Sequence, residues 1–463
     1  MTVTSFRPAL RSVRDDDRWC TPSLIGYDAA DPRLDDVSVS YARFGSSVEH
    51  SHCFDALERA VAAARQAIRA WLLVDGSTGG NRVAMRVVAA RGRDASVLLA
   101  PNAHHSVMHA AMVCGVNVRF LPAAVVSGFD AILPPTPPQV QAALAAHPGT
   151  TAVVITSPSY EGIVADVPGI ARVARRHGAL LLVDAAWGAH FGYHPRLPAA
   201  TAGTGADLVV ESLYKCGGAP QGTGVLLLAS GRVDHAEIDA AYRELMTTSP
   251  SFPLLAGIEG ATGTMAAKGR HYLQNALAAA DELRDGLKAL GLPVLTHPRL
   301  GDGTKVTFAG VAGFAVAQAL EKQNTIVEKS TAHTVLMLAT MQLCPGAPGC
   351  ALHALGPLVS RDLSDRGTRE MPLDWLSATP LLEAHAVRRG MPVHRVGAGQ
   401  AIGRIAAETI ELFPPDIPVI APGWPINSAC LDALERARAA GGRVVASDPS
   451  LDTVAVVAGT RAS

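Results

Sequence analysis

A lysine, an aspartate and a glycine-rich turn are the residues of this chain whose types and spacing point to joint chemistry. Up to residue 267 there is one lysine, Lys215, amid abundant arginine, although the whole chain carries 40 Lys plus Arg. Arginine replaces lysine on a wetted surface, but its guanidinium stays protonated and cannot form an imine. A lone retained lysine therefore points to amine chemistry; a surface lysine left over from biased codon usage is the plain alternative. The run Leu181-Leu-Val-Asp-Ala-Ala-Trp-Gly-Ala-His-Phe191 ends an apolar strand with Asp184. That exposes a carboxylate where ligands bind, outside the C-terminal ends of parallel strands. Pyridoxal phosphate needs such a group against its pyridine nitrogen, because the protonated ring is the sink for electrons of a bond broken at Cα. Asp75-Gly-Ser-Thr-Gly-Gly-Asn81 offers small residues, hydroxyls and free amides before a helix expected over Arg82–Ala90, which suits a phosphate. A Gly/Ser turn that only caps a helix would read the same way. Asn102-Ala-His-His-Ser106 follows the next strand; an imidazole there would stack on the ring, or else cap a helix or meet solvent.

These residues need a scaffold of strands with helices between them. The apolar runs Val97–Ala100, Val118–Leu121, Ala152–Ile155, Leu180–Val183 and Leu208–Val210 read as strands. Segments Ser106–Cys114, Gln139–Ala146 and Ala165–His177 read as helices. Such alternation predicts an α/β fold with a mainly parallel sheet flanked by helices. A helix over Leu273–Leu290 ends near Gly291-Leu-Pro293, and strand Lys305–Phe308 with helix Gly313–Lys322 opens a smaller α/β domain. The expected division is an N-terminal segment 1–60, a large cofactor-binding domain 61–290 and a small C-terminal domain 291–463. The tail reads as a helix Cys430–Ala440 and a strand Arg443–Ala446.

Composition narrows the function classes. With 463 residues and 48% hydrophobic content the chain can bury a large core. A net charge of −1 gives no field for a phosphate backbone, and no apolar run approaches the roughly 18 residues of a membrane span. Neither nucleic acid nor a membrane is an expected partner. The charged Met1–Asp17 lacks an apolar signal core, and the seven cysteines are odd in number and scattered, so a cytoplasmic setting is expected. Cys344 and Cys350 read as a turn with two incidental thiols, a metal or disulfide loop being the alternative; no metal is expected.

Taken in order, these segments resemble the prokaryotic ornithine/lysine/arginine decarboxylases, a group of fold type I pyridoxal-phosphate enzymes. The resemblance runs from about Ala60 to Pro425 through Asp75–Asn81, Asn102–Val107, Thr156-Ser-Pro-Ser-Tyr160 with Gly162–Asp166, Val183–Phe191, Ser212–Lys215 and Thr247–Leu255. Ile402–Ala407 and Phe413–Gly423 are similar to that group's C-terminal domain. It implies a seven-stranded-type sheet and pyridoxal 5′-phosphate as cofactor. It further implies Lys215 as the amine that carries the cofactor, Asp184 as partner of the pyridine nitrogen and His104 as the stacked ring, all three catalytic. Ser77, Thr78 and Ser212 would bind the phosphate, with Gly79, Ala186 and Tyr214 completing the cofactor-binding set. Thr248 or Ser249 would reach across from a second subunit, which implies a homodimer or an assembly of dimers; a Ser-Pro turn that only caps a helix is the alternative.

The chain also departs from the group. Tyr214 stands where the group has His before the lysine, and Trp19-Cys-Thr-Pro22 replaces a His-x-Pro-Gly-His stretch. Trp424 follows Pro422-Gly423 where the group has Glu, which removes an expected counter-charge for a basic substrate. Trp424 could meet a guanidinium by a cation–π contact of about 0.5–2 kcal/mol; Trp187 is a further substrate candidate. Asp416 would supply a carboxylate, or be an exposed loop residue. The leading expectation is α-decarboxylation of an amino acid, basic or arginine-like by resemblance. The alternative is a repurposed enzyme that breaks Cα–H and then eliminates, cyclises, oxidises or transaminates. A catalytically silent cofactor-binding subunit is a third reading.

Overall fold

The computed structural model describes residues 5–12, 42–344, 346–359, 391–413 and 417–459. Two compact units emerge, Met1–Val87 with Leu180–Tyr272, and Val88–Ala179 with Leu273–Ser463. Both are α/β, and the second joins three parallel strands to smaller antiparallel sheets.

In the first unit the strands Arg69–Leu73, Gly224–Leu228, Leu208–Ser212 and Leu180–Asp184 lie side by side in that order. The last two are parallel, whereas Gly224–Leu228 runs antiparallel to both its neighbours. Leu180–Asp184, Leu208–Ser212 and Gly224–Leu228 are buried along their whole length. Near-continuous apolar runs are what a sheet covered on both faces requires. Asp184 and Ser212 are the final residues of two parallel strands, so both polar side chains stand at the same sheet edge.

Two helices begin earlier than the sequence pattern suggests. The helix expected from Arg82 starts at Gly76, so the glycine-rich turn is itself the opening of the helix Gly76–Ala89. Glycine lowers helix propensity, but here it serves packing: a Cβ on Gly80 would meet Val210 at 2.7 Å and Leu73 at 2.8 Å. The helix expected from Leu273 starts at Phe252 and runs to Ala289. Gly257 interrupts its apolar pattern because a Cβ there would meet Pro220 at 2.5 Å.

The second unit holds the parallel strands Ala152–Thr156, Ser96–Leu99 and Asn117–Phe120 in that order. Further along the chain, Lys305–Ala309, Thr334–Leu338 and Lys329–Ser330 form an antiparallel sheet. Its core joins Phe308, Val335, Leu320 and Leu355. Near the C-terminus, Asn427 caps the helix Ser428–Ala439 by accepting from the Cys430 amide, and Arg443–Val445 follows as a strand.

Candidate active site

The first unit brings together most of the residues the sequence singled out. Asp184 is 3% exposed. Its Oδ2 accepts from Asn81 Nδ2 at 3.1 Å and its Oδ1 from the Ala186 amide at 3.0 Å. Two donors on different oxygens fix the plane of the carboxylate. Asn81 was legible only as the last residue of the glycine-rich motif; its tie to Asp184 is a finding of the structure.

Ser77 lies in the first turn of the helix Gly76–Ala89, and Ser212 ends the adjoining strand. Ser212 Oγ donates to Ser77 Oγ at 2.9 Å. Two hydroxyls therefore converge where the first amides of a helix lack intrahelical partners, an arrangement suited to an anion. Thr78 and Gly79 follow in the same turn. A Cβ on Gly79 would meet Asp75 Oδ1 at 1.9 Å, so a larger residue there requires the Asp75 side chain to move. Burial raises the Asp75 carboxyl above its ordinary pKa, against the opposing pull of Arg82, whose Nη1 is 3.5 Å away. A carboxyl with that tendency is less costly beside a phosphate than a fully ionised one.

Lys215 and Tyr214 lie on the short helix Leu213–Cys216, which continues directly from Ser212. Lys215 Nζ stands 4.4 Å from the centroid of the Trp187 ring. Trp187 is buried in the turn after Asp184, beside Ala186, and Tyr214 is 37% exposed. Thr248 and Ser249 lie exposed between two helices, where Thr247 Oγ1 accepts from the Ser249 amide at 3.2 Å.

Two further candidates lie in the second unit. His104, in the second unit, precedes the helix His105–Cys114 and caps it, its Nδ1 accepting from the Ser106 amide at 3.2 Å. His105 Nδ1 is 2.7 Å from Glu411 Oε2. Trp424, also in the second unit, is buried with its ring edge-on to Phe120 at 4.9 Å. Asp416 and Trp19–Pro22 lie outside the described residues.

Within the first unit, then, an amine, a buried oriented carboxylate and a hydroxyl-lined helix start occupy neighbouring strand ends. The residues present suit the chemistry of pyridoxal 5′-phosphate: Ser77 and Ser212 could hold the phosphate, Asp184 could face the ring nitrogen and Lys215 could bond the aldehyde carbon.

Comparison with known proteins gives a consistent result. Residues 33–293 match the family model described as Orn/Lys/Arg decarboxylase, major domain. An arginine decarboxylase of Bacillus subtilis (strain 168) is 28% identical over 371 residues, covering 76% of this chain and 74% of the relative. An arginine decarboxylase of Bacillus anthracis is 26% identical over 416 residues, covering 86% and 83%. In fold, lysine decarboxylase A from Pseudomonas aeruginosa superposes with a TM-score of 0.81 at 18% identity, over 98% of this chain and 80% of that one.

Proposed function

Because this chain belongs to the Orn/Lys/Arg decarboxylase family and its cofactor is pyridoxal 5′-phosphate, we propose that it removes the α-carboxylate of a basic, arginine-like amino acid. The observation that carries the proposal is the grouping of Lys215, Asp184, Ser77 and Ser212 at adjoining strand ends in one unit. The arginine decarboxylases at 26–28% identity support the substrate class. The alternative of Cα–H cleavage is not favoured by these relatives.

When bound, the cofactor supplies an electron sink conjugated to the substrate's Cα. The protein's part is positional and electrostatic. Asp184 holds a proton on the ring nitrogen, and the donors from Asn81 and Ala186 keep its carboxylate aimed. Ser77 and Ser212 anchor the phosphate at the start of the helix Gly76–Ala89, with Thr78 and Gly79 in the same turn. Lys215 would hold the cofactor through Nζ, and once free its amine would supply the proton that Cα takes in place of the lost carboxylate. His104 is assigned the ring that stacks on the cofactor. Tyr214 is assigned a phosphate contact, and Trp187 and Trp424 a place beside the substrate side chain.

The proposal extends to a homodimer in which Thr248 or Ser249 reaches the partner's phosphate site, and to a division into 1–60, 61–290 and 291–463. The family match ending at residue 293 supports the second boundary. The odd number and scattered spacing of the cysteines in the sequence support a cytoplasmic setting. No helix among the described residues is long and apolar enough to cross a membrane.

The test is to supply the cofactor-loaded protein with basic, aromatic and small amino acids and to follow carbon dioxide and product mass. Release from arginine or a near analogue, with the matching amine, is expected. Absence of release while the bound-cofactor absorbance still responds to substrate would contradict it.

A further inference from the structure

Arg65 terminates the helix Cys53–Ala64 and is 2% exposed, and Glu211 is fully buried. Arg65 Nε donates to Glu211 Oε2 at 2.8 Å and Nη2 donates to Oε1 at 2.8 Å, a fork that a lysine cannot reproduce. The same guanidinium donates from Nη1 to the Phe191 carbonyl at 2.7 Å and from Nη2 to the Gly188 carbonyl at 3.2 Å. Its Cζ lies 5.4 Å from the Tyr193 ring centroid. Burial works against the Arg65 charge, but Glu211 beside it prevails and raises its pKa above the ordinary arginine value.

The two sides of this fork grip two different segments of the site. Glu211 immediately precedes Ser212, and the chain runs on into the helix that carries Lys215. Gly188 and Phe191 belong to the turn after Asp184 and follow Trp187, the residue whose ring faces Lys215 Nζ. The segments also meet directly: the Ala185 amide donates to the Val210 carbonyl at 2.8 Å. A Cβ on Gly217 would lie 3.3 Å from the Ala189 Cβ, so little slack separates them. A buried ion pair is a poor device for stability, since packed apolar residues of equal volume do as well or better. Four guanidinium hydrogen bonds divided between two site segments are instead a device for geometry.

We infer that Arg65 is a positioning residue, which through Glu211 and the carbonyls of Gly188 and Phe191 fixes Lys215 relative to Asp184 and Trp187. The inference rests on the reading of Lys215 as the cofactor's lysine. It is tested on the full-length, cofactor-loaded protein with Arg65→Lys and with the paired substitution Arg65→Met and Glu211→Leu. The readouts are kcat, KM, the pH midpoint of the bound-cofactor absorbance and the thermal midpoint. Arg65→Lys keeps the charge and loses the fork; its kcat should fall about tenfold or more with KM changed less than about twofold, and its absorbance midpoint should shift. The apolar pair leaves no charge unpaired, so it should stay folded and show the same losses. Wild-type kcat and absorbance titration in either folded variant would overturn the inference, as would a loss of kcat matched by the unfolded fraction alone. If the apolar pair does not fold, Arg65→Lys decides by the same readouts. Borohydride fixation followed by peptide mapping keeps the two readings apart: cofactor found on a residue other than Lys215 sinks the underlying assignment, whatever Arg65 does.

Discussion

Lysines serve the two compact units differently. In the second unit Lys329 is buried with Nζ 2.6 Å from Glu161 Oε1, and the equally buried Lys305 has Nζ 3.3 Å from the Ser159 carbonyl and 4.0 Å from Asp302 Oδ2. Both open strands, and the Tyr160 ring faces both, 5.9 Å from Lys305 and 5.2 Å from Lys329. In the first unit Lys215 is only half-buried, follows the end of the strand Leu208–Ser212 and stands over the Trp187 ring. On the proposed reading, depth of burial does not identify the reactive lysine. A lysine sealed against a carboxylate is a fixed charge, whereas one at the C-terminal end of a strand, beside an anion seat and an oriented carboxylate, is available for chemistry.

That contrast can be broken most sharply at Lys215. Lys215→Ala should lower kcat by on the order of 10³-fold or more while leaving the thermal midpoint nearly unchanged. The reverse is expected of Lys329→Met, which strands Glu161 as a buried charge. It should cost about 3–5 kcal/mol in urea denaturation, with kcat per folded molecule retained. If Lys329→Met abolished turnover in folded protein, the division of roles would fail. Asp184→Asn keeps the shape and removes the charge, so kcat should fall by about 10²-fold with Asn81 and Ala186 still in place, as steady-state kinetics would report.

The smallest effect concerns a feature the two units share. Burial pushes the Cys53 thiol of the first and the Cys430 thiol of the second up to about 11, from an ordinary 9.0. A folded-state pKa above the unfolded one means stability fully present below about 9 and lost as pH rises through about 11. Thermal midpoints measured across that alkaline window should fall, and Cys53→Ala and Cys430→Ala should each flatten the fall. An unchanged slope in both variants would remove the thiols from the account.

How much of this was legible in the sequence varied from place to place. Asp184 stood out as the polar end of an apolar strand, and Lys215 as the one lysine up to residue 267 amid abundant arginine. The helix start at Gly76 was hidden because Gly80, read as part of a turn, is a close contact of Val210 and Leu73, and the start at Phe252 because Gly257, packed on Pro220, breaks the apolar pattern. His104 carried three readings, stacked ring, helix cap or solvated residue; the structure realises the cap, and the stacking role stays with the proposal. The Arg65 clamp was out of reach of any local pattern, because its partners are distant in the chain. Its only trace was Glu211, a carboxylate inside the otherwise apolar run Leu208-Val-Val-Glu.

In the proposed reaction the bond broken at Cα is the one to the carboxylate. Turnover of arginine labelled with carbon-13 in its carboxylate, run in heavy water, tests this directly. All the label is expected to leave as carbon dioxide, and the product amine to carry one deuterium at the former Cα. A product that retains the labelled carboxylate while deuterium appears at Cα would contradict it.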